Sequence, residues 1–260
     1  MKKDDLGDRM KGYEAVTKYK LLRRGYTMIR IDGKAFHTYT KGLIRPFDMG
    51  LVEDMDATAK YLCKEIQGAV CAFVQSDEIS ILLCDFENRN TSAWYDNSLQ
   101  KMCSVSASLA TAKFNQLRTS RVISAGKILT EFDNIVLAIF DSRVYQLPAK
   151  YEVENYMIWR QQDTVKNSIS SVAQSMFSHK ELNGKNGNQK QEMMFQKDGT
   201  NWDGFDPKLK RGRMITKEIY EKEPDVIRTR YVSNAPPTFT QDKDYLNELI
   251  PDREISRLLV

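Results

Sequence analysis

Asp77 and Glu78 stand side by side in the middle of "FVQSDEISILLC", residues 73 to 84, between two apolar runs. A second apolar run, "TMIRIDGKAFH" at 27 to 37, also meets a carboxylate, Asp32. Carboxylates rarely accompany buried-looking strands without a partner. Two of them held close repel, and each is harder to ionise unless a cation sits between them. Mg²⁺ is the natural cation for hard oxygen ligands. Two such ions about 3.5–4 Å apart can clamp the attacking and leaving oxygens of a phosphoryl transfer. The competing reading is a plain polar turn, since Ser and Asp both favour turns. It leads for either stretch alone, and convergence of the two raises the metal reading to equal standing.

The loop after Asp32 adds to this. Gly33 frees the backbone for a close approach, and successive N–H groups can cradle phosphates. Lys34, Lys41 and Arg45 are near enough to add positive charge. A single glycine after a strand is common, so this signal is weak by itself.

The elements needed to bring these acids together can be read from the periodicity. A strand is predicted at 25 to 31, where Met-Ile-x-Ile implies burial on both faces. A helix follows over "MGLVEDMDATAKYLCKEIQG", with Leu51, Met55, Ala59, Leu62 and Ile66 at helical spacing and Gly68 as its expected C-cap. Strands are expected at 69–75 and 78–84, a helix rich in small residues at 98–115, and a strand at 142–147 stopped by Pro148. Small side chains on that second helix suit a close approach to a sheet. The order β-α-β-β-α-β is the ferredoxin-like pattern, an α+β fold with two helices on one face of an antiparallel sheet. In it the first and third strands are neighbours, so Asp32 falls beside the turn that carries Asp77.

Around this core, residues 1 to 20 read as a polar helical arm. Residues 151 to 198 read as mostly helical with a Gly- and Asn-rich break at 182–190, and 207 to 260 as mixed, with a basic run "KLKRGR". No linker cuts the chain. The expectation is one catalytic domain over 1–260, with a core at about 22–148 and an elaboration at 149–260. In "YMIWRQQDTVKNSISSVAQSMF", Val165, Ile169, Val172 and Met176 share one helix stripe, and Arg160, Asp163 and Asn167 lie opposite. On periodicity alone that polar side, after a buried-looking Trp159, reads as a solvated face.

The 260 residues are 41% hydrophobic and 28% charged, as in an ordinary globular protein, and the net charge of +4 permits nucleic-acid binding without demanding it. The cysteines form no CxxC pair and only two histidines are present, which argues against zinc and for reduced buried thiols. With no secretory signal and no long apolar run, the expectation is a cytoplasmic protein without a membrane span.

Four segments, "RIDGKAFHTYTKG", "QSDEISILL", "FDSRVYQLP" and "YMIWRQQD", occur in order between residues 30 and 163. With them the chain resembles the tRNA(His) guanylyltransferase superfamily. The resemblance implies a polymerase-like palm and template-directed addition of nucleotides to a tRNA 5′ end in the 3′-to-5′ direction. It implies activation of the 5′-phosphate with ATP, then attack by the 3′-hydroxyl of an incoming nucleoside triphosphate. The implied cofactors are two Mg²⁺ ions, the implied substrates are ATP, GTP and other NTPs with a tRNA of incomplete 5′ end, and the implied assembly is a homotetramer.

By the same match, Asp32, Asp77 and Glu78 resemble the catalytic acids, with Asp32, Asp77 and the Gly33 carbonyl as metal ligands. Gly33, Lys34, Ala35, Phe36 and His37 resemble the loop that holds the triphosphate. Ser76, Lys101, Arg45 and Asp48 are expected to contact nucleotide, Arg45 standing where many members carry an activation-step lysine. Expected RNA contacts are Arg160, Asp163, Asn167, Lys190, Lys210, Arg211 and Arg213. One departure separates the chain from the dedicated tRNA(His) enzymes. After Asp163 they continue His-Ile-Asn-Asn-Leu-Tyr-Asn, whereas here "TVKNSISS" keeps only Asn167 by position. This resembles the guanylyltransferase-like branch, which implies 5′-end repair by Watson–Crick templating. The alternatives are a dedicated tRNA(His) enzyme, a non-catalytic RNA-binding module and a palm-type nucleotide cyclase. The binding module would need aromatic stacking residues on the central strands, which read as aliphatic.

Overall fold

Strand β1 (Tyr26–Gly33) organises the molecule. In the computed structural model, which describes residues 5–88, 90–124, 136–223 and 226–253, it pairs antiparallel with β3 (Glu78–Cys84) on one side and β4 (Phe140–Leu147) on the other. Strand β2 (Ala69–Gln75) flanks β3, so the first four strands lie in the order β4-β1-β3-β2 expected of the ferredoxin-like pattern. The tail adds two strands to the β2 edge, β5 (Arg213–Glu223) and β6 (Val226–Asn234).

One face of the sheet is covered by α3 (Met49–Glu65) and α4 (Leu99–Ser124). The small residues of α4 do what their size suggested. Ser106 and Ala110 are buried, and the Ser106 hydroxyl donates to the Ser142 hydroxyl at 2.7 Å, tying helix to β4. This helix continues to Ser124, beyond its predicted end at 115. The opposite face is closed by α5 (Lys150–Met176), whose Val153 and Met157 pack with Met28, Phe73, Leu82 and Phe239. That second layer explains why Met28, Ile29 and Ile31 are all fully buried.

Gly68 is not the cap of α3. Ile66 takes that position, and Gly68, at φ +82, serves the turn into β2, where an added Cβ would lie 2.7 Å from the Cys84 carbonyl oxygen. Its conformation is required by the close approach of β3, a contact distant in sequence. Trp159 is also corrected: it is 51% exposed, packed edge-on to Tyr156 with the Arg160 guanidinium over its ring.

The arm forms α1 (Asp5–Ala15), with no buried residue. Between α6 (His179–Leu182) and α7 (Gly187–Asp198), the Asn- and Gly-rich break supplies Asn186 as a capping box with Gln189. Short helices α2 (Phe36–Tyr39), α8 (Pro207–Arg211) and α9 (Lys243–Leu249) complete the α-helices among the described residues. All four cysteines are free thiols, and burial pushes Cys71 up to about 12, which marks it as inert. Among the described residues no helix is long and apolar enough to cross a membrane.

Candidate active site

The pairing register decides where the acids fall. Asp32 lies opposite Glu78 on β3 and opposite Asp141 on β4. The backbone N–H of Gly33 donates to the Asp77 carbonyl at 3.2 Å, so the end of β1 is fastened to the β2–β3 turn. Ser76 makes that turn in a left-handed conformation at φ 45. The convergence expected of Asp32 and Asp77 is therefore present.

Burial pushes the Asp77 carboxyl up to about 6, with the charges of Asp32 and Glu78 adding to it, against a hydrogen bond from Ser76 that works the other way. None of the main influences on Asp77 is a cation. Asp32 has only long ion pairs, 3.8 Å to Arg30 and 3.9 Å to Arg143. Among the described residues no cluster of three or more His, Cys, Asp or Glu side chains forms a ready-made cage. Mg²⁺ does not need one. It is held through one or two carboxylates plus substrate phosphates and water. A desolvated carboxylate without a cation beside a second carboxylate fits that demand, and Asp32, Asp77 and the Gly33 carbonyl would hold the ion.

Glu78 has a different setting. It is buried and saturated: Arg160 donates through Nε and Nη2, both at 2.8 Å, Arg30 pairs with it at 2.7 Å, and the Ser80 hydroxyl donates at 3.2 Å. Both oxygens are taken, so Glu78 sits beside the two half-buried acids as an anchor, and in this arrangement it is no third open ligand. The fork of Arg160 onto a carboxylate is the strongest geometry available to such a pair. Arg160 also reaches Asp163 at 3.1 Å, and Asn167 reaches Asp163 at 3.4 Å. The solvated face predicted from periodicity is thus corrected for Arg160, which is 3% exposed and points at the sheet. Periodicity reports which side of a helix is polar, not what that side meets.

The glycine loop is shaped from below by an aromatic cluster. The Phe36 ring packs against Phe114, Phe140 and Tyr39. A Cβ on Gly33 would lie 2.2 Å from that ring. The close approach that requires glycine here is to Phe36, whose ring is buried in the core. Gly33→Ala should therefore displace Phe36 and cost about 1–3 kcal/mol of stability by overpacking. The check is thermal unfolding of Gly33→Ala beside Gly33→Ala/Phe36→Leu; no recovery in the double variant would place the strain elsewhere. Lys34 donates its N–H to the Ile139 carbonyl at 2.8 Å, Ala35 is left-handed at φ 52, and His37 is exposed against the Thr38 hydroxyl. Asp48 spends its carboxylate on backbone, accepting from Leu51 at 2.8 Å and from Ile44 at 3.3 Å as the cap of α3. Arg45, just before it, is exposed and does not line the cleft.

Several expected contacts are not where the sequence reading put them. Lys101 is exposed on the first turn of α4, which is held by Tyr19 and Asn97 at the Tyr26 end of β1, away from Asp32. It does not line the cleft. Lys210 is 3% exposed and pairs with Asp203 at 2.9 Å, and Arg213 is 3% exposed and pairs with Asp56 at 2.5 Å. Neither is a free surface cation for RNA phosphates. Lys210, Arg211 and Arg213 are expected at RNA from the sequence because nothing in the local pattern of "KLKRGR" announces a carboxylate partner. Arg211 bonds to the Thr238 hydroxyl and Lys190 to the Ser170 hydroxyl, both at 3.0 Å.

The acids open into a cleft of about 510 Å³ that runs between the start of α3 and the polar side of α5. Two cations beside the acids were missed in the sequence. Arg30 is two positions from Asp32, on the same strand face, and Arg143 lies opposite Arg30 on β4. The period of two could have flagged Arg30; Arg143 needed the register.

Comparison with known proteins agrees with this geometry. The family model described as tRNAHis guanylyltransferase (Thg1) matches residues 7–148. A bacterial tRNA(His) guanylyltransferase-like protein solved in complex with ATP is 42% identical, with a TM-score of 0.82 over 95% of this chain and 99% of that one. Its complex with GTP superposes with a TM-score of 0.79. The tRNA(His) guanylyltransferase of Schizosaccharomyces pombe is 29% identical over 229 residues, covering 82% of this chain and 81% of that protein. With the family model spanning more than half of the chain and the palm acids converging as that fold requires, the protein belongs to the tRNA(His) guanylyltransferase family and is a nucleotidyltransferase.

Proposed function

We propose that this enzyme repairs tRNA 5′ ends by template-dependent addition of nucleotides in the 3′-to-5′ direction. The observation that carries the reading is the Gly33-to-Asp77 hydrogen bond, which holds Asp32 and the desolvated Asp77 together at one end of a nucleotide-sized cleft. In the first step an oxygen of the RNA 5′-phosphate attacks the α-phosphorus of ATP and pyrophosphate leaves, giving an adenylylated end. In the second the 3′-hydroxyl of an incoming NTP attacks the RNA 5′-phosphorus, its proton is lost and AMP leaves. The new end carries the triphosphate of the added nucleotide. Bound Mg²⁺ would neutralise the charge that builds on the phosphoryl oxygens. Asp32 and Asp77 hold that site, and Glu78, fixed by Arg30 and Arg160, keeps β3 in place beneath them. The backbone N–H groups of Ala35, Phe36 and His37 are offered to the triphosphate, while those of Gly33 and Lys34 are spent on Asp77 and Ile139. Assembly as a homotetramer is part of the same reading and is checked by sedimentation.

Repair is favoured over addition of a single G to tRNA(His) by "TVKNSISS" in place of the run that marks the dedicated enzymes. A tRNA lacking its 5′ nucleotide leaves one base unpaired opposite. An NTP that pairs with it brings its own 3′-hydroxyl into line, and positioning carries much of the barrier to phosphoryl transfer. Each of the four nucleotides should be added when the opposing base calls for it, and addition should stop at a fully paired stem. The test varies opposing base and anticodon separately in truncated transcripts. Addition of G whatever base stands opposite, or loss of activity on changing a His anticodon, would restore the dedicated enzyme.

A further inference from the structure

A second concavity, of about 1110 Å³, lies at the opposite end of the sheet from the acids. Gly68 and Cys84 line it, and Cys84 pairs with Tyr26, six positions before Asp32 on β1. At about 3.3 Å per residue the strand separates the two sites by roughly 20 Å. The strand pairing opens this groove. Pairing of β2 with β5 stops at Cys71 and Thr216, while β5 runs on to Glu223. The outgoing β5–β6 hairpin leaves a gap beside the start of β2 and the end of α3. Its floor is apolar, with Ile66 and Phe86 buried.

The rim is basic. Among the described residues, Lys60, Lys64, Lys217 and Arg230 line the groove against a single carboxylate, Glu87. Lys60, Lys64 and Lys217 form no ion pair among the described residues. Arg230 pairs with Glu218 at 2.6 Å, but both side chains are exposed and such surface pairs hold weakly. Two aromatic rings stand beside these cations. The Tyr231 hydroxyl donates to the Ala69 carbonyl at 3.0 Å, which fixes its ring, and Lys217 lies 6.0 Å from the ring centre. Tyr61 sits next to Lys60 on α3, with Lys113 at 5.3 Å from its ring centre. Unmatched positive charge calls for a polyanion. Duplex RNA offers phosphates but keeps its base faces stacked, and has no use for aromatic rings in a concave groove. An unpaired RNA segment offers both, phosphates to the lysines and bare base faces to the tyrosines. We propose that the groove binds unpaired nucleotides of the tRNA at a distance from the 5′ end being extended. This rests on tRNA being the substrate and adds a second contact remote from the acids, one whose affinity does not depend on base sequence.

The test is equilibrium binding of the full chain to two RNAs, a tRNA transcript lacking its 5′ nucleotide and a minihelix with the same acceptor end closed by a tight hairpin loop. The tRNA should bind more tightly than the minihelix. Lys60→Glu with Lys64→Glu should weaken tRNA by about tenfold or more, flatten the dependence of log affinity on log salt by about 1–2, and leave extension of the minihelix within about twofold. Lys217→Glu, on the opposite wall, should act in the same direction. Lys64 and Lys217 are exposed, so these changes leave the core intact. Tyr61→Ala should weaken tRNA without changing the salt dependence, as loss of a stacked base does. Oligouridylate should compete with tRNA for the groove, and a glutamate peptide of equal charge should not. Equal affinity of the unaltered chain for both RNAs, unchanged tRNA affinity in both charge variants, equal loss for the minihelix, or competition by the peptide would overturn the proposal. Altered sedimentation with unaltered RNA affinity would give the groove to a second copy of the chain instead. If the variants lose tRNA as expected but the unaltered chain adds no nucleotide, the repair reading falls and the groove stands. If RNA is extended and both charge variants bind tRNA normally, the groove falls and the repair reading stands.

Discussion

Asp77→Asn should abolish nucleotide addition and at the same time raise the melting temperature of the metal-free protein. Both effects come from the same desolvated carboxyl. Its folded-state value of about 6 lies above the ordinary 3.8, so ionising it opposes folding. The penalty is absent below about pH 4, grows as pH rises toward 6, and is constant above. The Asn variant should therefore match the parent at pH 4 in EDTA and exceed it by a few degrees at pH 7. Saturating Mg²⁺ should narrow that gap by stabilising only the parent. Activity should fall by roughly 10³ or more, since several kcal/mol of charge stabilisation goes with the metal. Asp32→Ala should lose activity on the same scale. Near-normal turnover of either variant in saturating Mg²⁺ would end the metal assignment, and a stability difference that persists at pH 4 would deny Asp77 its raised value.

Arg160→Ala should be among the most destabilising single changes in the chain. Glu78 and Arg160 are 5% and 3% exposed and share two 2.8 Å hydrogen bonds. Taking away one member of such a pair leaves a buried charge with half its partners, at a cost of about 3–5 kcal/mol. Arg30 remains on Glu78 at 2.7 Å and softens the loss. Replacing both, as Arg160→Met with Glu78→Gln, removes the stranded charge and should return a substantial part of the stability. The double-mutant cycle reads this directly by denaturant unfolding. If the two single changes simply add, the pair is not coupled and Glu78 is not the anchor described. Activity should stay low in the double variant even where stability returns, because Arg30 then lacks its main partner beside Asp32.

Much of the palm was legible because its signals are local. Residues 69–75 and 78–84 were read with the bounds the structure shows, since an apolar run broken by Ser-Asp admits few other conformations. The small residues of α4 announced its close packing, and Asp32 and Asp77 could be placed side by side because four strands in that order leave one sensible topology. Family membership was legible for the same reason, in short motifs that keep their order.

Contacts between elements far apart in sequence were decided by the tertiary structure. Arg160, Lys210 and Arg213 look alike in the chain, as basic residues on polar stretches. What separates them from solvated cations is a carboxylate brought from elsewhere, Glu78 and Asp56 from other elements and Asp203 from the preceding loop. Gly68 and Gly33 are glycines because of Cys84 and Phe36, and no cap or ligand rule predicts those neighbours. Lys101 was placed by motif but not by direction: α4 begins at the far end of β1, and only the packed sheet fixes which end of a helix meets the acids. The sequence by itself determined which residues carry charge and which periods they obey. Which charges are paired, which are exposed and which are left with an open hydrogen bond depended on the register and on the second layer of helix. Burial costs and Coulomb energies are set by distances that no local pattern contains.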